Sequence, residues 1–398
     1  MIKKILKKVH SDHLYRNSLY LILNNVVTTG FGFFFWMICA HLYSTEQVGY
    51  ATAIISAVGI VSLFSFLGLN IGLMRYLPKA KDKDKLIVSC INLCGLSSIV
   101  FSILFLILLP FLSPKLGFVL ESSNYLIAFV LFTLSWVMFS IVNSIFIASR
   151  KSGIVLVKSI LFSMMKLILP VLVVFLGTYG ILGAYYLSAL VGFVFSLYYF
   201  RYSFEIDFKL IKEMFVFSFG NYVAWTLGLL PGLVIPIMIT HFIGPKETAY
   251  FYVAWMIANL LYFVPSAISQ SLLTEGSHSV TGLDKKVKKA YMMTFMILIP
   301  GILLFVFFGK YLLMLFGSEY AVEGFRLLQV LSVASIFYGI NQIRIMKFNV
   351  THSLRKIIMI QFLVAFVALV GSFVFADGDL ILFGIIYGIA NVVGVLVR

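Results

Sequence analysis

Runs of about twenty apolar residues with almost no charge recur from one end of this 398-residue chain to the other, and each is long enough to cross a hydrocarbon core of about 30 Å as a helix. Twelve can be delimited, over 17–42, 47–74, 86–109, 124–148, 154–176, 178–200, 214–242, 248–274, 289–315, 323–347, 356–376 and 380–397. Barrel strands are excluded, because the runs are continuous and lack the alternation of residues that face lipid on one side and a lumen on the other. Hydrophobic residues are 62% of the chain and charged ones 11%, more apolar surface than a soluble globule could bury. The chain is therefore an all-α polytopic membrane protein.

A net charge of +15 raises the question of nucleic acid, and the placement of the cations excludes it. Lys3, Lys4, Lys7, Lys8, Arg16, Arg75, Lys79, Lys81, Lys83, Lys85, Arg150, Lys151, Lys158, Arg201, Lys209, Lys212, Lys285, Lys286, Lys288, Lys289, Arg344, Lys347, Arg355, Lys356 and Arg398 fall to one side of the twelve runs. Lys115, Lys246 and Lys310 fall to the other, and Lys166 and Arg326 lie within runs. This is the positive-inside pattern, which puts both termini in the cytoplasm and predicts a multi-pass protein of the cell membrane. The first basic stretch is followed by too long an apolar run for a cleaved signal peptide and reads as the first membrane helix. Cys39, Cys90 and Cys94 lie within runs, and without His or carboxylate neighbours they read as small packing residues, not as metal ligands.

Six helices over 1–200, an amphipathic cytoplasmic connector over 201–215 and six more helices over 216–398 give the expected layout, two lobes and a seam. The halves echo each other. "HLYSTEQVGY" from His41 and "HFIGPKETAY" from His241 share His and Tyr at an offset of 200, and "GAYYLSALVG" from Gly183 aligns with "GIIYGIANVVG" from Gly384 at 201. An even number of helices per copy gives both the same orientation, so parallel repeats around a central cavity are expected, the architecture of alternating-access transporters.

Lys166 is the most informative position. It lies ~18 Å along its helix from the cytoplasmic end at 1.5 Å per residue, too deep for its side chain to snorkel. Ser159, Ser163, Lys166 and Pro170 share one stripe, so the cation either faces a watery cavity or is satisfied by carbonyls freed at Pro170. All fifteen carboxylates fall in loops or at span ends, which leaves no deep acid to bind a proton, sodium ion or cationic drug. A cavity whose only deep charge is positive prefers an anion. Arg75 and Arg326 at span ends either snorkel or line the cavity mouths. Asn25, Asn70, Asn143, Asn221, Asn259, Asn341 and Gln342 serve as interhelical glue or meet sugar hydroxyls. His41 and His241 sit at outer helix ends, where an interfacial hydrogen bond accounts for them. Pro231, Gly232 and Pro236 form a candidate hinge in the seventh helix.

In "HLYSTEQVGYATAI", "GLNIGLMRYLPKAK" and "LLMLFGSEYAVEGFRLLQVLSV" the chain resembles the oligosaccharide flippases of the polysaccharide-biosynthesis (Wzx-like) family, in the multidrug/oligosaccharidyl-lipid/polysaccharide (MOP) superfamily. The resemblance implies a MATE-like fold of twelve transmembrane helices in two lobes. It also implies flipping of a polyprenyl- or dolichyl-phosphate-linked oligosaccharide from the inner to the outer leaflet. Lys166, Ser159, Ser163, Arg75, Arg326, Asn25 and Asn221 are the expected substrate-binding set. The expected partners are the lipid-linked oligosaccharide, membrane lipids and polysaccharide assembly proteins. No cofactor, metal or catalytic residue is expected, and the outer loops are too short to hold a glycosyltransferase or polymerase site. A multidrug exporter of the same architecture is the alternative, against which the absence of deep carboxylates counts.

Overall fold

The computed structural model describes residues 13–200, 203–204, 206–278, 282–376 and 378–397. Lys3, Lys4, Lys7, Lys8, Arg201 and Arg398, with connector positions 202 and 205, lie outside the described residues. Among the described residues the chain is helical, with no strand: α1 (His13–Leu42), α2 (Thr45–Ser65), α3 (Leu69–Tyr76), α4 (Lys83–Leu112), α5 (Ser123–Ala148), α6 (Ser152–Leu172), α7 (Thr178–Leu197), α8 (Phe208–Phe242), α9 (Pro245–His278), α10 (Leu283–Met314), α11 (Ser318–Glu323), α12 (Phe325–Val350), α13 (Leu354–Val374) and α14 (Leu380–Leu396). Ten of these are long and apolar enough to cross a membrane. The other two expected spans are α12, whose apolarity is reduced by Arg326, Arg344 and Lys347, and α14, which is only 17 residues long.

The chain divides into two compact units, one of Met1–Tyr43 with Val58–Tyr222 and the other of Ser44–Ala57 with Val223–Arg398. Helices α2 and α8 therefore each pass from one unit to the other along their length. In the first unit the continuous run expected over 47–74 is broken. Leu67 and Gly68 take left-handed conformations, with φ of 49° and 71°, and start α3 in a new direction. Glycine is needed at 68, where a Cβ would lie 3.1 Å from the Cβ of Tyr222 in a conformation unfavourable to other residues. The Tyr222 hydroxyl donates to the Leu63 carbonyl at 2.7 Å, satisfying one of the acceptors left open where α2 ends. Cys90 and Cys94 pack into the apolar core of this unit beside Leu69, Leu73, Ile141 and Ile145. From Phe208 onward, the segment read as a connector forms the opening turns of α8. Asp207 anchors it: its carboxylate accepts from the Lys209 N–H and pairs with Lys85 at 3.2 Å, while its own N–H donates to Ser89.

In the second unit, the start of α2 meets the start of α9. A Cβ on Gly49 would stand 1.6 Å from the Pro245 carbonyl oxygen, so only glycine permits this backbone crossing. At the other end of the unit the Arg344 guanidinium donates to the carbonyls of Gly394, Val395 and Val397, the open acceptors at the C-terminus of α14.

The duplication is plain in the helix bounds. Helix α5 (123–148) maps onto α12 (325–350), and α6 (152–172) onto α13 (354–374), each at an offset of 202, while the α1–α2 and α8–α9 junctions repeat at 200. The two-residue difference lies in the third long helix of each copy, 30 residues in α4 against 32 in α10.

Candidate functional site: a buried lysine in an aromatic box

Helix α6 buries one stripe: Ser152, Val155, Lys158, Ser159, Phe162, Ser163, Lys166 and Pro170. They recur at steps of three, four and seven residues, as for any helix with a single inward face. What differs here is that the stripe carries two lysines. Lys166 is 4% exposed, and its ammonium lies 5.2 Å from the Phe35 ring centroid, 4.8 Å from that of Phe162 and 5.2 Å from that of Tyr185. Helices α1, α6 and α7 thus each contribute one wall of a cage of negatively polarised ring faces, which attract a cation without forming an ion pair. Trp136 of α5 extends the cluster, 5.4 Å from Tyr185 and 6.3 Å from Phe162. On α1, Gly32 stands beside the ammonium, where a Cβ would fall 4.0 Å from Nζ, an ordinary contact distance. The Ser163 hydroxyl, on the same stripe, is buried and has no hydrogen-bond partner among the described residues.

The ring faces around the ammonium are a feature that sequence reasoning does not foresee. The Tyr43 hydroxyl donates to the Pro170 carbonyl at 2.7 Å, whereas the acceptor that the missing Pro170 N–H leaves open is the carbonyl of Lys166 itself. Tyr43 lies between spans, and burial pushes its phenol up to about 12, so it remains a donor at neutral pH. Among the described residues the two ion pairs are Lys85 with Asp207 and Lys347 with Asp284, so Lys166 has no carboxylate partner.

Lys158 requires a correction. Grouped with the cytoplasmic loop cations by its nearness to the start of α6, it is in fact fully buried. Its ammonium donates to the Phe139 carbonyl at 2.6 Å and sits 3.8 Å from the centroid of that residue's ring. Gly192 of α7 makes room for its stem, a Cβ there falling 3.3 Å from the Lys158 Cγ.

The structure brings Ser159, Ser163 and Lys166 together as buried members of one stripe. Asn25 is exposed on α1, two turns before Gly32 on the same helix face. Arg75 is exposed at the end of α3, its guanidinium carbon 3.7 Å from the Phe217 ring centroid, and the exposed Asn221 lies one turn beyond Phe217 on α8. Arg326 belongs to the second unit, exposed in the first turn of α12. Pro231, Gly232 and Pro236 lie within an unbroken α8, where the Thr240 hydroxyl takes the Pro236 carbonyl at 2.9 Å. The His41 ring bonds the Met37 carbonyl of its own helix at 2.8 Å.

Sequence reasoning missed the aromatic walls, which come from helices far apart in the chain. It also missed an asymmetry that the repeat itself reveals. At the offset of 202, Lys158, Ser159, Ser163 and Lys166 correspond to Ile360, Gln361, Ala365 and Ala368. The buried cations exist in one copy only.

By sequence, the chain belongs to the polysaccharide biosynthesis protein family, whose model matches residues 14–273. No protein of curated function matches it. Among solved structures, it is similar to the lipid II flippase MurJ in an inward closed conformation, with a TM-score of 0.76 and 18% identity over 95% of this chain and 86% of that one. An inward-facing multidrug resistance MATE family transporter of the MOP superfamily gives 0.73 and 15% identity over 94% and 96%. A MOP superfamily transporter from Pyrococcus furiosus, described as having a binding pocket of reverse polarity that suggests a different function, gives 0.58 and 15% over 96% and 94%. At these identities the likenesses establish the MATE-like fold.

Proposed function

We propose that this protein carries a lipid-linked oligosaccharide from the inner to the outer leaflet, without enzymatic chemistry, and that Lys166 binds the phosphate of its headgroup. The observation that carries the reading is a buried ammonium with ring faces around it and no carboxylate partner among the described residues. Burying an unpaired cation in a membrane helix costs roughly 2.5–3.5 kcal/mol on insertion scales, and a protein that keeps one needs an anion to meet it. The orphaned Ser163 hydroxyl offers a hydrogen bond to the same phosphate. Rings of this kind hold the cation in place until Phe35 or Tyr185 turns aside and the anion replaces them. An oligosaccharide dragged through hydrocarbon would leave many hydroxyls unsatisfied, each costing several kcal/mol, so a polar path is required. Pro231 and Pro236 each remove a backbone donor from α8, which makes that segment the proposed hinge. The family and the MurJ likeness support this reading, and the loop charge pattern is consistent with cytoplasmic termini and a place in the cell membrane.

The test is complementation of a strain lacking its own glycan flippase. The parent protein is expected to restore surface polysaccharide, and Lys166→Ala and Lys166→Glu to fail at equal membrane abundance. Equal rescue by both variants would remove Lys166 from substrate handling. The MATE likeness fits a multidrug exporter as well, and efflux of a lipophilic cationic dye by the parent, without rescue of polysaccharide, would favour it.

A further inference from the structure

If one copy of the repeat carries the buried cations, the other has a face of a different kind. On α9, Tyr252, Trp255, Asn259, Tyr262, Ser266, Ser269 and Gln270 fall within a sector about 100° wide at 100° per residue. Between Tyr252 and Gln270, about five turns, every position in that sector carries a hydroxyl, an amide or an indole, and the positions outside it are apolar. None is charged. At the offset of 200, Trp255, Asn259, Ser266 and Ser269 correspond to Ile55, Gly59, Phe66 and Leu69, while Tyr252, Tyr262 and Gln270 correspond to the polar Thr52, Ser62 and Asn70, so the indole and the Asn259 amide are particular to this copy although part of the polar face is shared.

The neighbouring helices of the same unit extend it. The Tyr338 hydroxyl of α12 lies 3.3 Å from that of Ser266 and also bonds Gln342 one turn on. Tyr387 of α14 brings its ring to 4.7 Å from that of Trp255. Tyr262 is buried and donates to the Leu331 carbonyl at 2.8 Å, whereas Trp255, Ser266 and Tyr338 are half-buried and Asn259 and Gln270 exposed. The Asn259 amide nitrogen donates to the Trp255 carbonyl at 2.8 Å, and its amide oxygen remains an acceptor.

We infer that this face of the second unit, with Trp255, Asn259, Tyr338 and Gln270 at its accessible edge, binds the sugar rings of the transported glycan. The inference rests on the reading given under Proposed function and concerns the second unit by itself. A phosphate would select cations and a cationic drug would select a carboxylate, but this sector has neither. A neutral molecule with C–H faces and many hydroxyls matches it on both counts. Aromatic faces take the apolar side of a pyranose, and amides and hydroxyls pair with its rim.

The experiment measures binding of two probes to the full protein in nanodiscs: a polyprenyl diphosphate bearing a neutral oligosaccharide, and the same polyprenyl diphosphate without sugar. Trp255→Leu is expected to weaken the glycan-bearing lipid at least tenfold and leave the bare lipid unchanged, and Trp255→Phe to restore most of the loss. Asn259→Ala and Gln270→Ala, at exposed positions, should each give a smaller loss with the same selectivity, and they serve if Trp255→Leu does not fold. Lys166→Ala should weaken both lipids alike. If the Trp255, Asn259 and Gln270 variants bind both probes as the parent does, or lose both equally, the sugar assignment is overturned while the phosphate reading stands. If the parent binds neither probe, the proposed function itself fails and this inference with it.

Discussion

Lys166→Met separates a functional reason for the buried charge from a structural one. Methionine fills nearly the same volume as the lysine stem and adds no charge. The three ring contacts at 4.8–5.2 Å are near the outer limit for cation–π attraction and contribute about 0.5–1 kcal/mol each, together ~2 kcal/mol. Against them stands the roughly 2.5–3.5 kcal/mol of burying the ammonium in a membrane helix. Methionine also gains sulfur–aromatic contact of about 0.3–1.5 kcal/mol in the same box. The variant is therefore expected to be as stable as the parent or more stable, by ~1–2 kcal/mol, while failing to restore surface polysaccharide. Thermal unfolding in nanodiscs, followed alongside complementation, tests both halves. A loss of more than ~2 kcal/mol with polysaccharide restored would mean that the lysine is there to hold helices together, and would refute the reasoning.

Three further substitutions probe the frame. Gly49→Ala places a Cβ on the Pro245 carbonyl oxygen, backbone that cannot move aside cheaply, and should destabilise the protein by about 2 kcal/mol or more, read as a lower melting temperature. Tyr43→Phe removes the donor to the Pro170 carbonyl and should cost about 1–2 kcal/mol. Because the folded state raises this phenol to about 12, its contribution in the parent is intact below the unfolded value of about 10 and is lost as pH rises toward 12. The difference in melting temperature between parent and Tyr43→Phe should narrow across that window. Arg344→Gln leaves carbonyls at the end of α14 without their charged donor and should cost about 1–2 kcal/mol, with faster amide exchange in the last turn of that helix.

The membrane helices were legible because an apolar run of twenty residues has few other fates, and the duplication because His41 and His241 mark equivalent junctions. The break at Leu67–Gly68 was hidden, since a left-handed turn inside an apolar stretch leaves no change in hydropathy and becomes visible only where Tyr222 packs against it. Lys158 reads as one more cytoplasmic cation because it lies near a helix start, and its burial shows only once α5 packs against it, its partner Phe139 being 19 residues away in sequence. That Lys166 shares a stripe with Ser159 and Ser163 could be read from spacing alone. Its box could not, since Phe35, Phe162 and Tyr185 come from three helices and aromatic residues are common throughout the chain. The asymmetry between Lys166 and Ala368 needed the helix bounds, because an offset of 200 from the first junctions pairs the lysine with Phe366 and misses the true counterpart by half a turn.

That asymmetry bears on why a protein like this exists as one polypeptide. Two identical six-helix chains assembled as a symmetric pair would present every side chain twice, so a lysine acquired by one would at once be matched by a second in its mate. Linking the copies end to end lifts that constraint and lets a mutation in the sixth helix go unanswered in the thirteenth. The covalent joint between the halves is thus the precondition for a buried lysine stripe that one copy has and the other lacks.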